Sequence, residues 1–175
     1  MGSASSRMCN LRSFVKKTKR SSERRSVIRR AMASPRTSPK NMAKPKQRGS
    51  FDTNAILRLV LGDVPTQTRA IERLLETGEI FEVSDLALIE MVFVLEKILK
   101  MDRALIRENV FAITRHRQFL SNKKLFEECM LAYCMHRDLS IVDCALLAHA
   151  RMRKATLFTF DKDIIRHARG DAKSP

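Results

Sequence analysis

Four acidic residues occupy positions from which carboxylates could carry out chemistry. Two of them, Asp52 and Asp161, directly follow segments with strand character, and each is placed to cap the helix that comes next. The carboxyl ends of parallel strands meet at one edge of a sheet, which is where sites form in such folds. We therefore expect Asp52 and Asp161 at the carboxyl ends of strands, at that edge.

The other two acids, Glu90 and Asp143, each lie in an otherwise apolar helical row. The rows are Leu86, Glu90 and Val94 in one helix, and Asp143, Leu147 and Ala150 in another. An unpaired charge is costly to bury, so a solvated helix face explains these positions poorly. A buried salt bridge remains an alternative, although neither row holds a cation. A cluster of acids around a divalent cation would also account for both rows.

Metal ions held by carboxylates predict a particular chemistry. Mg²⁺ and Mn²⁺ prefer carboxylate and water oxygens. Such ions lower the pKa of a bound water and stabilise charge on the oxygens of a phosphodiester during hydrolysis, without a histidine base. The histidines are spread out without a metal-binding pattern, so we expect packing or surface roles for them: His116, His136, His149 and His167. No phosphate-binding glycine loop, Ser-His-Asp set or Cys-His set is supported.

The elements that must position these acids alternate between helix and strand. The pattern predicts strands at Glu79–Ser84, Arg117–Leu120 and Thr156–Phe160, and helices that begin after Asp52, at Pro65, after Ser84 or Asp85, after Asp102, at Asn122, after Ser140 and after Asp161. Of these, the helix after Ser84 should run to Leu99, the one after Ser140 to about Arg153, and the last should end before Gly170. Such alternation predicts βαβ units and a mainly parallel sheet.

The charge is divided unevenly along the chain. The net charge is +15, but residues 1–50 hold 15 of the 34 Lys and Arg and one acid, Glu23, while residues 51–175 hold 19 bases and 18 acids. Residues 1–50 are therefore a basic extension of +14, and their composition predicts disorder, apart from a possible short helix around Ser22–Met32. The extension could be a nucleic-acid-binding arm, a segment like a transit peptide, or an over-long gene start with translation from near Met42.

Two further features limit the class of protein. No apolar run approaches the length of a membrane-spanning helix, and the N-terminus lacks the apolar core of a secretory signal, so we expect a cytoplasmic protein with no membrane association. The cysteines form no CxxC pair and suit buried free thiols better than a disulfide or a zinc site: Cys9, Cys129, Cys134 and Cys144.

The four acids, taken with their neighbours, resemble a known family. The segments are Asp52-Thr53-Asn54-Ala55-Ile56-Leu57, Asp85-Leu86-Ala87-Leu88-Ile89-Glu90-Met91-Val92, Ile141-Val142-Asp143-Cys144-Ala145-Leu146 and Ala155-Thr156-Leu157-Phe158-Thr159-Phe160-Asp161-Lys162-Asp163. Together they resemble the PIN domain, and most of all its VapC-type toxin ribonucleases, over nearly all of residues 51–170.

The resemblance implies a fold, an activity and partners. It implies an α/β/α sandwich with a central, mainly parallel sheet over residues 51–170, followed by a short tail at 171–175. It also implies an endoribonuclease that uses Mg²⁺ or Mn²⁺ to cleave single-stranded or structured RNA, with a homodimer and a small antitoxin that blocks the acidic pocket. The matching acids would carry the metal and the catalysis: Asp52, Glu90, Asp143 and Asp161. Thr53 and Asn54 would orient Asp52, while Asp163 would be either an auxiliary acid or a surface residue.

One segment departs from the family pattern. Family members place an apolar, central strand before the first acid, but here Lys44–Ser50 is polar and basic and only Phe51 has core character. We therefore expect a short or weakly held first strand, with order beginning near Phe51. Two other functions stay open: a non-catalytic RNA-binding protein that uses the basic extension, and a PIN nuclease of RNA processing without an antitoxin.

Overall fold

Helices alternate with short strands along the part of the chain that the computed structural model describes, residues 47–175. In order they are β1 (Gln47–Phe51), α1 (Thr53–Leu61), α2 (Pro65–Glu76), β2 (Ile80–Val83), α3 (Asp85–Phe93), α4 (Arg103–Thr114), β3 (Phe119–Leu120), α5 (Lys123–Met135), α6 (Ile141–Met152), β4 (Leu157–Phe158), α7 (Lys162–His167) and β5 (Ala172–Lys173). The short helix around residues 22–32, the start near Met42 and the disorder of residues 1–46 were expected for residues outside this range, whereas residues 47–50, which were also expected to be disordered, form part of β1.

Polar side chains begin most of the helices, as the sequence predicts. Six of them accept a hydrogen bond from a backbone N–H in the first turn, which satisfies a donor that the helix cannot pair internally. These N-caps are Asp52, Ser84, Asp102, Asn122, Ser140 and Asp161. Gly62 ends α1 with a φ of 60°, a left-handed conformation that glycine adopts without a steric penalty. The predicted extension of α3 to Leu99 is also present, as a π-helical turn over Val94–Ile98.

The strands form two parallel sheets in the described residues. The first has the order β1-β2-β3, and the second pairs β4 with β5. The predicted α/β class with parallel strands is therefore confirmed. The expectation that β1 would be central is wrong, since β1 pairs with β2 alone at the edge of its sheet. Its polar composition explains this position, because a central strand would need apolar side chains on both faces.

An aromatic cluster anchors the weak first strand. Phe51 lies 4.9 Å from the ring of Phe81 and 5.8 Å from that of Phe119, so each strand of the first sheet contributes one ring. Gly49 and Ser50 are exposed, and the register shifts between Gln47 and Gly49. The strand begins before Phe51, where order was expected to start, but Phe51 supplies its apolar contacts.

Helix α3 passes through the centre of the core. Its apolar side chains Leu88, Met91 and Val92 are completely buried. The helix packs against α1 and α6, and α6 in turn contacts β4. The elements that carry the four acids are thus joined by direct packing, so the positions of the acids depend on the core.

The remaining expectations concern membranes and thiols. None of the helices in residues 47–175 is long and apolar enough to cross a membrane. Cys129 and Cys144 are buried free thiols as expected, while Cys134 is half-buried and Cys9 lies outside the described residues. Burial raises the pKa of the Cys129 thiol, and it raises the pKa of Cys144 to about 12. Neither thiol is therefore ionised near neutral pH.

Candidate active site

The first acid stands at the junction between β1 and α1. Asp52 has an extended backbone, and its Oδ1 accepts a hydrogen bond of 2.8 Å from the Ala55 N–H. This contact fixes the direction of the carboxylate relative to the helix. The carboxylate itself is exposed to solvent, at the carboxyl end of a parallel strand as the sequence predicts.

Thr53 connects the first acid to the second. Its hydroxyl donates a hydrogen bond of 2.6 Å to Glu90 Oε2, which joins the start of α1 to α3. The family resemblance implies that Thr53 and Asn54 orient Asp52. The Thr53 hydroxyl instead holds Glu90, and Asn54 is exposed.

The third acid belongs to a reciprocal cap at the start of α6. Asp143 Oδ2 accepts a hydrogen bond of 2.8 Å from the Ser140 N–H, and Ser140 Oγ accepts one of 3.2 Å from the Asp143 N–H. The sequence predicted that Ser140 is an N-cap, but it did not predict the hydrogen bond that the Ser140 N–H donates to the Asp143 carboxylate. The spacing of a serine and an acid three residues apart is the sequence signal that could have shown it.

The fourth acid follows β4 and begins α7. Asp161 Oδ1 accepts hydrogen bonds from the N–H groups of Asp163, at 2.8 Å, and Ile164, at 3.2 Å. Asp163 was expected to be either an auxiliary acid or a surface residue. Its carboxylate forms an ion pair of 2.9 Å with Arg166, in the next turn of the same helix.

The burial expected for the helical acids is wrong. Glu90 is exposed and Asp143 is only half-buried. Apolar residues on the same faces are exposed as well, including Leu86, which is 75% exposed, and Leu146. The Glu90 row is therefore uncovered at Leu86, whereas the Asp143 row is covered in part, since its Leu147 is only 1% exposed. The argument from the cost of burying a charge therefore does not apply to Glu90 and Asp143.

The four acids share two features. Within residues 49–175, whose side chains the structure describes, none of the four forms an ion pair with a lysine, arginine or histidine; Glu96, Asp138 and Asp163 do, while the helix cap Asp102 does not. Each of the four also uses a single carboxylate oxygen in its described hydrogen bonds. The other oxygen of each remains available to a ligand.

These donors suit a hard divalent cation in their chemistry but are not gathered as one cluster. Carboxylate oxygens are the ligands that Mg²⁺ and Mn²⁺ prefer. Among residues 47–175, however, no three side chains of His, Cys, Asp or Glu lie close enough together to hold an ion. The structure thus places the acids on packed elements and orients three of them by capping and Glu90 through Thr53, while a shared metal site would require their side chains to approach further.

The histidines take structural positions. His116 contacts the ring of Phe119, and burial lowers the pKa of its imidazole. His136 and His167 stack with ring centroids 4.0 Å apart, and His167 Nε2 lies 2.8 Å from an oxygen of Asp138. In the described contacts no histidine touches any of the four acids, in agreement with the packing and surface roles expected for them.

A comparison with known families decides the identity of this fold. The sequence model of the PIN domain family matches residues 51–170, which is more than half of the chain. The chain belongs to the PIN domain family. Proteins with a PIN domain are generally metal-dependent nucleases, so membership supports a hydrolase that acts on nucleic acid. A comparison with curated proteins gave no match, and a comparison with solved structures gave none.

Proposed function

We propose that this PIN domain is an endoribonuclease that hydrolyses RNA with Mg²⁺ or Mn²⁺. The ligands of the metal and the catalytic groups would be four carboxylates: Asp52, Glu90, Asp143 and Asp161. The observation that carries this proposal is that these acids stand on packed elements without a described cationic partner. Each also has one carboxylate oxygen outside its described hydrogen bonds. Asp163, by contrast, forms an ion pair with Arg166.

A bound divalent ion would supply an activated water and charge neutralisation at the phosphodiester. The protein contributes orientation. The Thr53 hydroxyl holds Glu90 through one oxygen, and the Ser140 N–H holds Asp143 in the same way. Partners of this kind restrict the rotation of a ligating side chain and support metal affinity.

Helix termini stabilise two of the proposed ligands. Asp52 and Asp143 lie at the starts of α1 and α6, where the partial positive charge of the helix dipole stabilises carboxylates. This stabilisation offsets part of the repulsion among the acids before a metal arrives. The exposure of Asp52 and Glu90 leaves room for a polymeric substrate such as RNA.

We further propose that the enzyme is the toxin of a toxin–antitoxin pair and forms a homodimer. The resemblance to VapC-type toxins motivates this proposal, and the surface supports it. Exposed apolar side chains flank two of the acids along their helices: Leu86 and Phe93 beside Glu90, and Val142 and Leu146 beside Asp143. A protein partner that covered these side chains would bury apolar area and also block the acids.

The test of the nuclease is cleavage of a labelled pool of mixed RNA sequences by the purified full-length chain. The reactions contain Mg²⁺, Mn²⁺ or EDTA, and they compare the parent with Asp143→Asn. Asparagine keeps an oxygen that can accept the Ser140 hydrogen bond, so the cap survives while the charge is lost. The matched control is Glu127→Gln on α5, which removes a carboxylate that pairs with Arg115 and belongs to a side chain that is 40% exposed.

Cleavage by the parent and by Glu127→Gln that is lost with EDTA or in Asp143→Asn supports the nuclease. Equal cleavage by both variants contradicts the assigned site. RNA binding without cleavage in the presence of either metal would instead favour a non-catalytic RNA-binding protein. The +14 charge of residues 1–50 supports this alternative. That binding would weaken steeply as the salt concentration rises.

Toxicity needs its own experiment. Expression of the parent should arrest growth, and co-expression of a small neighbouring gene product should relieve the arrest. Growth arrest without any such partner, together with metal-dependent cleavage, would favour a PIN nuclease of RNA processing.

A further inference from the structure

We propose that Phe160 is a stacking platform for a base of single-stranded RNA, positioned beside the acid Asp161. This inference rests on the proposed ribonuclease function and adds a substrate contact to it. The ring of Phe160 is 81% exposed, and that of Phe158, two residues earlier, is 59% exposed. Two neighbouring phenylalanines without cover, next to a proposed catalytic residue, are the features that this inference explains.

The backbone around Phe160 is held in place although its side chain is not. The Asp161 N–H donates a hydrogen bond of 3.0 Å to Thr159 Oγ1, and the Thr159 N–H donates one of 3.1 Å to the carbonyl oxygen of Lys173. On the other side, Asp161 caps α7 through its own carboxylate. Phe160 therefore lies in a turn that is fixed at both ends, so little backbone entropy would be lost when a ligand binds.

Positive charge accompanies the two rings. Lys173 is the cross-strand partner of Phe158, and its Nζ lies 5.2 Å from the centroid of that ring. Lys162 follows Asp161 and is exposed. Aromatic faces that stack on bases, together with cations that contact phosphates, are the two components of surfaces that bind single-stranded nucleic acid. Bases paired within a duplex would not be available to such a ring.

The area of the rings argues against a second copy of the chain as the occupant. A phenylalanine buries about 150–250 Å² when fully covered, so these two partly exposed rings offer at most about 500 Å². A stable interface needs about 800 Å² from each partner. Of the exposed apolar side chains beside Glu90 and Asp143, Leu86, Val142 and Leu146 lack a π face and suit a protein partner better than a base, and Phe93 is less exposed than either ring, at 49%.

The experiment uses the full-length chain carrying Asp143→Asn, so that bound RNA stays intact. The probe is a single-stranded RNA that contains 2-aminopurine, a base analogue whose fluorescence falls when it stacks on an aromatic ring. Phe160→Ala is compared with Phe160→Tyr, which keeps a ring, and with Leu131→Ala, a control on α5 whose side chain is 57% exposed. Residues 1–50 are present in every variant, so their contribution to affinity is the same throughout.

In the Asp143→Asn background, the expected result is quenching of the 2-aminopurine fluorescence by the chain with Phe160 intact, by Phe160→Tyr and by Leu131→Ala. Phe160→Ala should lose this quenching. In the enzyme that retains Asp143, Phe160→Ala should raise KM about 5- to 150-fold with little change in kcat. This range corresponds to the loss of one stacked base. A duplex of the same sequence should show no effect of Phe160.

Other outcomes overturn the proposal and can be told apart. If Phe160→Ala quenches the probe in the Asp143→Asn background and, with Asp143 present, cleaves RNA like the parent, the platform is refuted while the ribonuclease stands. If Phe160→Ala changes self-association but not RNA binding, the ring belongs to an interface between copies. If the parent neither binds nor cleaves RNA, the proposed function and the platform fail together.

Discussion

Replacement of Arg103 by methionine should destabilise this domain more than any change at its surface. The guanidinium group is almost fully buried, with 10% of the side chain exposed, and it contacts Glu96, of which 15% is exposed. Nε and Nη2 approach Glu96 Oε1 at 2.9 and 2.8 Å. The same group donates to three backbone carbonyls and lies 4.0 Å from the centroid of an aromatic ring; the carbonyls are those of Tyr133, His136 and Leu139, and the ring is that of Tyr133.

These contacts set the size of the effect. Removing one partner of a buried ion pair leaves the other charge without compensation and costs about 3–5 kcal/mol. The three carbonyls also lose their donor. A domain of this kind is stable by about 5–15 kcal/mol, so Arg103→Met would remove a large part of the free energy of unfolding. The free energy of unfolding of Arg103→Lys should lie between those of Arg103→Met and the parent, because an ammonium group keeps the charge but lacks the planar geometry of the guanidinium group.

The pH dependence gives this prediction a second test. Burial raises the pKa of Glu96, but the hydrogen bonds and positive charges of Arg103 and, to a smaller extent, Lys97 together outweigh it, so the pKa lies below its ordinary value of 4.5. A lowered carboxyl pKa stabilises the folded state above the ordinary pKa, and this stability is lost as the pH falls through the lowered value. Without Arg103, the largest of the effects that lower the pKa of Glu96 is lost, and only Lys97 opposes the effect of burial. The difference between variant and parent should therefore shrink as the solution becomes acidic.

The assay is urea unfolding followed by circular dichroism, for the parent, Arg103→Met, Arg103→Lys and the double variant Glu96→Gln/Arg103→Met. The double variant should recover part of the stability, because no unpaired carboxylate remains. The account of this cluster is refuted if Arg103→Met stays within about 1 kcal/mol of the parent at neutral pH with the same m value.

Three further predictions concern the site and its supports. Thr53→Val should reduce metal affinity or activity about 10- to 100-fold and Thr53→Ser should restore it, because the hydroxyl orients Glu90; equal metal titrations of cleavage by parent and valine variant would exclude this role. Asp138→Asn should speed amide hydrogen exchange in α7, because Asp138 contacts Arg166 and His167, with the exchange rates of α5 as the internal control. Burial lowers the pKa of His116, so the contribution of the neutral imidazole to stability is complete above about pH 6.5 and is lost as the pH falls. The decrease in the free energy of unfolding between about pH 7 and 5.5 should therefore be smaller in His116→Gln than in the parent.

The helices could be predicted from the sequence because their signals are local. Ser84, Asp102 and Ser140 cap helices through hydrogen bonds to residues two or three positions away, so a short segment contains the whole interaction. The four acids could be singled out for a similar reason, since their positions relative to strand ends and helix faces are visible in the pattern.

The features that escaped prediction depend on distant parts of the chain. The exposure of Glu90 and Leu86 could not be foreseen, because periodicity shows which side chains share a helix face and not whether another element covers it. Strand β5 has two residues, Ala172 and Lys173, too few for a periodic signal, and it is defined by its pairing with β4. The contact between Thr53 and Glu90 spans 37 positions and is likewise a product of the fold.

The central claim is that four carboxylates hold the metal on which hydrolysis depends. The most direct measurement is RNA cleavage titrated with Mn²⁺ by the full-length parent, Asp143→Asn and Glu127→Gln, with thermal unfolding recorded for each to show that it is folded. The account predicts metal-dependent cleavage by the parent and Glu127→Gln, and none by a folded Asp143→Asn. Undiminished cleavage by Asp143→Asn, or cleavage that persists in EDTA, would contradict it.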